Sequence, residues 1–159
     1  MNIETVRLVW SGRGNLAERL RVPFSRMHAL YASHGRPIKL ILAWDSRDHV
    51  SVQSEMHDVG ARTEVGTLRF EEVHGREQGE IVGFEWGPVN SPLEAFALGI
   101  SENSMQLECG VMLRPENGES LIITPGDYPY TLAVARGSWR FGSEPEYPLS
   151  AYRASKLGL

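Results

Sequence analysis

From residue 38 to residue 136, apolar and polar side chains alternate in short runs, and turn-forming residues divide one run from the next. Successive side chains on a strand point to opposite faces, so alternation over about four to eight residues marks a half-buried strand. Met105, Leu107, Cys109, Val111 and Leu113 keep a strict period of two. Asn117-Gly118 then gives a hairpin signal ahead of Leu121-Ile122-Ile123, and Tyr130, Leu132 and Val134 alternate after Pro125-Gly126. Upstream, Ile38 to Trp44 is a largely apolar run. Val50, Val52 and Met56 alternate with Ser51, Gln53 and Glu55, and the polar loop 45–49 is short enough to join the two runs as a hairpin. Two further strand candidates, 63–73 and 80–87, are joined by the loop His74 to Gly79. Short connections demand antiparallel pairing, because parallel strands need crossovers of a dozen or more residues.

The N-terminal part reads differently. Val6, Leu8 and Trp10 suggest a first strand, and Ser11-Gly12-Arg13-Gly14 a turn. Leu16, Leu20, Phe24, Met27 and Tyr31 are spaced by three or four, which places them on one helical stripe. Pro23 interrupts the stripe, and Gly35 and Pro37 end it, so two short helices or one kinked helix are expected within 15–34. That register puts Arg19 and Arg26 in solvent. The expected fold is α+β: a mainly antiparallel curved sheet or partial barrel of about seven to eight strands, with the helical segment 15–34 packed on one face. The element order resembles the helix-grip ligand-binding fold, which also begins strand, helix, helix, sheet. It departs from that fold at the C-terminus, where only Ser150 to Lys156 could be helical, after Pro145 and Pro148. No family follows from this likeness.

Length and composition bound the function. The 159 residues suit one domain, 1–159, able to bury a core without metal or disulfide. Cys109 is the sole cysteine, which excludes an internal disulfide and fits a reducing compartment. The first residues lack a basic-then-apolar leader, and no run of about 20 apolar residues could span a bilayer, so a cytoplasmic protein without a membrane partner is expected. The net charge of −4 argues against nucleic acid as a partner. Yet residues 1–36 hold six arginines against Glu4 and Glu18, so Arg13, Arg19 and Arg26 are candidates for an anion-facing surface.

Motifs with defined chemistry are scarce. Gly12-Arg13-Gly14-Asn15-Leu16-Ala17 fits a dinucleotide fingerprint between a strand and a helix. Against it, Pro23 breaks the crossover helix, and the next strand returns in a hairpin instead of a second crossover. No two of the five histidines stand at metal-ligand spacing, so no metal and no cofactor are expected. His57-Asp58, near Arg62 and Glu64, is the one candidate acid–base pair, although neighbours on a strand point apart. Tyr128, Tyr130 and Trp139 stand among prolines and glycines, where aromatic rings either form a partner surface or seal one end of the fold. The function expected is a non-catalytic binding module for a protein partner, for instance an immunity-type interaction, or for an apolar small molecule. The alternative is a small enzyme whose site is assembled from dispersed histidines and carboxylates.

Overall fold

The computed structural model describes residues 4–45, 47–60, 63–76, 78–89 and 91–159. The chain forms two β-sheets that face each other, with thirteen strands among the described residues: β1 (Glu4–Val6), β2 (Val9–Ser11), β3 (Arg26–Tyr31), β4 (Pro37–Ala43), β5 (His49–Asp58), β6 (Glu64–Val73), β7 (Glu80–Ile81), β8 (Glu94–Glu102), β9 (Met105–Arg114), β10 (Leu121–Pro125), β11 (Leu132–Arg136), β12 (Trp139–Gly142) and β13 (Arg153–Lys156). One sheet runs β12-β11-β10-β9-β8-β13, with β1 added in parallel to β9. The other runs β2-β6-β5-β4-β3-β7. Among the described residues, helix is confined to α1 (Leu16–Leu20) and one turn of 3-10 helix, Leu149–Ala151.

The architecture is therefore mainly β, with two sheets in place of the single curved sheet or partial barrel expected, and the α+β reading is corrected. The predicted helical segment 15–34 breaks after its first five residues, and Arg26 to Tyr31 pairs as a strand with β4. The apolar stripe misled because a short helix, a connection and a strand each bury residues that fall three or four apart in sequence. Leu16 and Leu20 lie on one face of α1, Phe24 fills the connection, and Met27 shares the inward face of β3 with Ala29. Leu16, Leu20, Phe24 and Met27 are all buried, whereas Tyr31 is exposed. The second helix that the helix-grip likeness requires is a strand, and Arg153–Lys156 is a strand as well.

The period-two reading stands elsewhere. β4 and β5 form the expected hairpin, β9 and β10 pair across Asn117-Gly118, and Leu107, Cys109, Val111 and Leu113 are buried. The pairing of β6 with β7 does not occur, since the two lie towards opposite edges of their sheet. Only residues 80–81 of the predicted strand 80–87 join a ladder. Beyond them the chain is extended and held singly: Val82 N–H donates to Met27 O, while Arg136 donates to the carbonyls of Glu85 and Trp86.

The main core gathers inward residues of both sheets, including Leu40, Leu42, Val50, Val52 and Phe70 from one and Val111, Leu113, Leu121, Ile123 and Val134 from the other. Rings from four segments close one margin: Phe24 touches Trp44, Phe84 and Trp86, and Phe84 touches Trp139. A smaller cluster of Val59, Val65, Ile100, Leu107 and Cys109, with Tyr147 and Tyr152 against it, forms a second buried group. Burial pushes the Cys109 thiol up to about 12, with the nearby Glu146 carboxylate adding to the effect. The thiolate is the reactive form. Cys109 is therefore expected to react with a disulfide reagent at pH 8 only after denaturant is added. Complete labelling of the native protein within seconds would contradict its place in this cluster.

Candidate functional site

The arginines named from the sequence do not form one anion-facing surface. Arg13 sits in the β2–α1 turn and grips Glu72 of β6 with its backbone N–H and two guanidinium N–H groups, at 2.7–3.0 Å. Arg19 on α1 pairs with Asp48, lies 3.5 Å from Glu72, and stacks between Trp10 and Trp44 at 5.6 and 5.5 Å from the ring centroids. Its side chain keeps only 18% exposure, so the expectation that it faces solvent is corrected. The helix ends one residue later, at Leu20, and Trp44 of the β4–β5 connection and Trp10 of β2 flank the Arg19 side chain. Arg26 is exposed at the start of β3.

The glycine turn has a structural task in the same place. A β-carbon on Gly12 would come within 2.5 Å of the Trp10 ring, and Gly14 takes a φ of +75° where Trp10 Nε1–H donates to its carbonyl. The strand that follows α1 pairs antiparallel with β4, which leaves no parallel crossover for a dinucleotide.

His57 and Asp58 point to opposite sides of β5. The His57 ring is 4.0 Å from Glu55, whereas Asp58 accepts the Gly60 N–H and caps a turn. Arg62 lies outside the described residues. Among the described residues, no three His, Cys, Asp or Glu side chains stand close enough to hold a metal.

The three aromatic candidates separate. Trp139 is half-buried, stacked on Phe141 at 6.3 Å and tilted on Phe84, so it belongs to the ring cluster that closes the core. Tyr128 and Tyr130 stand out from the β10–β11 loop, 46% and 59% exposed. The β3–β4 hairpin turn meets this loop with Arg36, whose guanidinium lies 5.1 Å from the Tyr128 ring centroid, and His34, whose ring is 4.8 Å away. Arg36 also donates to Ser143 and lies 3.7 Å from Asp127. Tyr31, exposed at the base of the same hairpin, packs edge-on against Phe141.

The loop itself is closely held. Gly126 N–H donates to Thr131 O, Asp127 N–H to Glu144 O, and the Thr131 hydroxyl to Tyr128 O at 2.5 Å. Ser143 Oγ donates to Thr131 Oγ1 at 2.8 Å. Residues 128–131 make a turn closed by Thr131 N–H to Tyr128 O, with Pro129 second and Tyr130 third. Tyr130 takes a φ of +63°. Proline at the second position and positive φ at the third define the type II pattern, in which the third residue is ordinarily glycine or asparagine. A side chain there costs about 1–2 kcal/mol. Tyr130 makes no ring contact or side-chain hydrogen bond among the described residues.

Sequence reasoning found Tyr128 and Tyr130 but missed His34, Arg36 and Asp127. The Gly35 turn was legible as a stop signal, but not its docking against a loop some ninety residues away. Comparison with protein-family models, with curated proteins and with solved structures finds no match. Among the described residues no helix is long and apolar enough to cross a membrane.

Two outcomes test the internal use of the charges. Arg19→Ala is expected to lower stability by about 1–2 kcal/mol, chiefly through the loss of two partly buried cation–π contacts, with the half-exposed Asp48 pair adding little. A urea midpoint unchanged from the parent would contradict the sandwiched geometry. The Glu72 carboxyl is held at about 2, below its ordinary 4.5, chiefly by the hydrogen bonds from Arg13. A depressed folded pKa adds stability above the unfolded pKa and loses it as pH falls through the folded one. Glu72→Gln should therefore flatten the fall in stability between about pH 4.5 and pH 2. Parallel acid-denaturation curves for parent and variant would sink that assignment.

Proposed function

We propose that the protein is a non-catalytic binding module that holds a protein partner on the face built by Tyr128, Tyr130, Arg36 and Tyr31. The observation that carries this reading is Tyr130: its backbone is strained, its side chain is exposed, and it makes no ring contact or side-chain hydrogen bond among the described residues. Strain of this kind persists where the surroundings over-determine it, and it collects at ligand clamps and active sites. Here the surroundings are the five hydrogen bonds that fix residues 126–131.

The chemistry of the face suits protein recognition. Tyrosine and arginine are enriched at interfaces and at their hot spots, because each offers a large surface with a polar end. A tyrosine has few rotatable bonds, so presenting it on a rigid loop lowers the ordering cost of association. Tyr128 is held further by Arg36 on its ring and His34 beside it.

Tyr130→Gly separates a binding role from a structural one. Glycine relieves about 1–2 kcal/mol of strain and gives back about 0.4–1 kcal/mol through the freer unfolded chain. The net gain, about 0–1.6 kcal/mol, corresponds to a rise in Tm of up to roughly 6 °C. A fall in Tm would show that the side chain supports the fold. For binding, a benzophenone amino acid placed at position 130 and irradiated in the cells that make the protein is expected to give one discrete adduct. The same group at exposed Val22 serves as the control. Equal adducts at both positions, or none at 130, would contradict the reading.

A further inference from the structure

A second feature lies on the outer face of the seven-stranded sheet, apart from the aromatic loop. There the strands run β1, β9, β8, β13, and their registers line up two lateral rows of side chains. One row is Thr5, Gln106 and Ser101. The next is Glu108, Gly99 and Arg153, with Arg7 flanking Glu108 at 3.9 Å. Gly99 sits at a register shift in β8, and a β-carbon on it would come 3.0 Å from the Leu107 carbonyl oxygen, so a side chain there would crowd the approach of β8 to β9. The missing side chain leaves a slot in the outer carpet. With Ser155 and the Tyr147–Ala151 segment as further wall, the slot widens into a groove of about 560 Å³. That is within the size range of small-molecule sites.

The lining decides what could occupy it. Arg7 directly follows β1 and Arg153 opens β13, three strand intervals or about 14 Å apart at the backbone. Two arginine side chains can close that span over Gly99. Arg153 has no acidic partner among the described residues. Glu108 is the opposing charge in the groove, and it is engaged: its Oε1 accepts the Leu8 N–H at 3.3 Å and faces Arg7. Thr5, Ser101, Gln106 and Ser155 add neutral donors. Tyr147 stands at one end with its hydroxyl donating to Glu102, and burial pushes that phenol up to about 12, so it remains a donor at neutral pH.

We infer that this groove binds a small organic anion, with its carboxylate or phosphate group lying over Gly99 between the guanidinium groups of Arg7 and Arg153. Planar guanidinium forks match both anions with paired N–H donors. Neither arginine supports the core, so their removal should leave the fold intact.

The test is a titration of the ¹⁵N-labelled protein with inorganic phosphate in one arm and malonate in the other, at constant ionic strength. Saturable shifts confined to residues 5–8, 99–108 and 147–155 are expected in at least one arm, and the arm that saturates at lower concentration identifies the anion. Arg153→Gln and Arg7→Gln are each expected to weaken that binding at least tenfold while leaving Tm unchanged. Shifts that rise linearly in both arms, or saturation that neither variant alters, would overturn the inference.

Discussion

The burial of the two inner sheet faces against each other is the constraint from which the rest of the molecule follows. Each strand can offer only alternate residues to that interface, so the leucines, valines and isoleucines of the core fall at every second position, and all other chemistry is pushed to outer faces, margins and loops. The N-terminal segment ties the two layers covalently. β1 joins one sheet, β2 joins the other, and Leu8 between them is buried. Both short parallel pairings in the fold come from this crossing, which is why short connections alone did not forbid them.

A sandwich is open at its margins, and two devices close this one. The rings of Phe24, Trp44, Phe84, Trp86 and Trp139 cover one margin, held by Arg136, which donates to three backbone carbonyls and lies over two of the rings. The β2–α1 turn is pinned to β6 through Glu72, and Arg19 fills the space between Trp10 and Trp44. In both devices arginine serves as a planar spacer between aromatic faces as much as a charge. That role accounts for Arg19, whereas Arg13 is occupied by its grip on Glu72.

What could be read from the chain follows the range of the forces involved. The alternation from Met105 to Leu113 and the turns at 45–49 and Asn117-Gly118 are local, and each appears in the structure as expected. The segment 15–34 was legible as buried, but a five-residue helix followed by a strand mimics one helical stripe, and only the pairing with β4 marks where the helix gives way. Arg19 was misjudged for the same reason: its surroundings come from Asp48, Glu72 and Trp44, which are distant in sequence. Tyr130 carries no local mark of strain. Pro129 suits either common turn type, and the choice of the one that forces a positive φ rests on hydrogen bonds to Gly126, Thr131 and Ser143. The Gly99 groove is invisible until β1, β8, β9 and β13 stand side by side.

The central claim is that the loop carrying Tyr128 and Tyr130 is built rigid, so that two exposed rings are presented in one fixed arrangement. Its hydrogen bonds, the Arg36 and His34 contacts and the strained Tyr130 backbone all imply this. Backbone ¹⁵N relaxation of the free protein measures it directly. Order parameters at Asp127, Tyr128, Tyr130 and Thr131 of about 0.85, equal to those of β10 and β11, are the expected result. Values below about 0.6 across the same residues would contradict it, because a loop that samples many conformations holds neither the strain nor the presented surface.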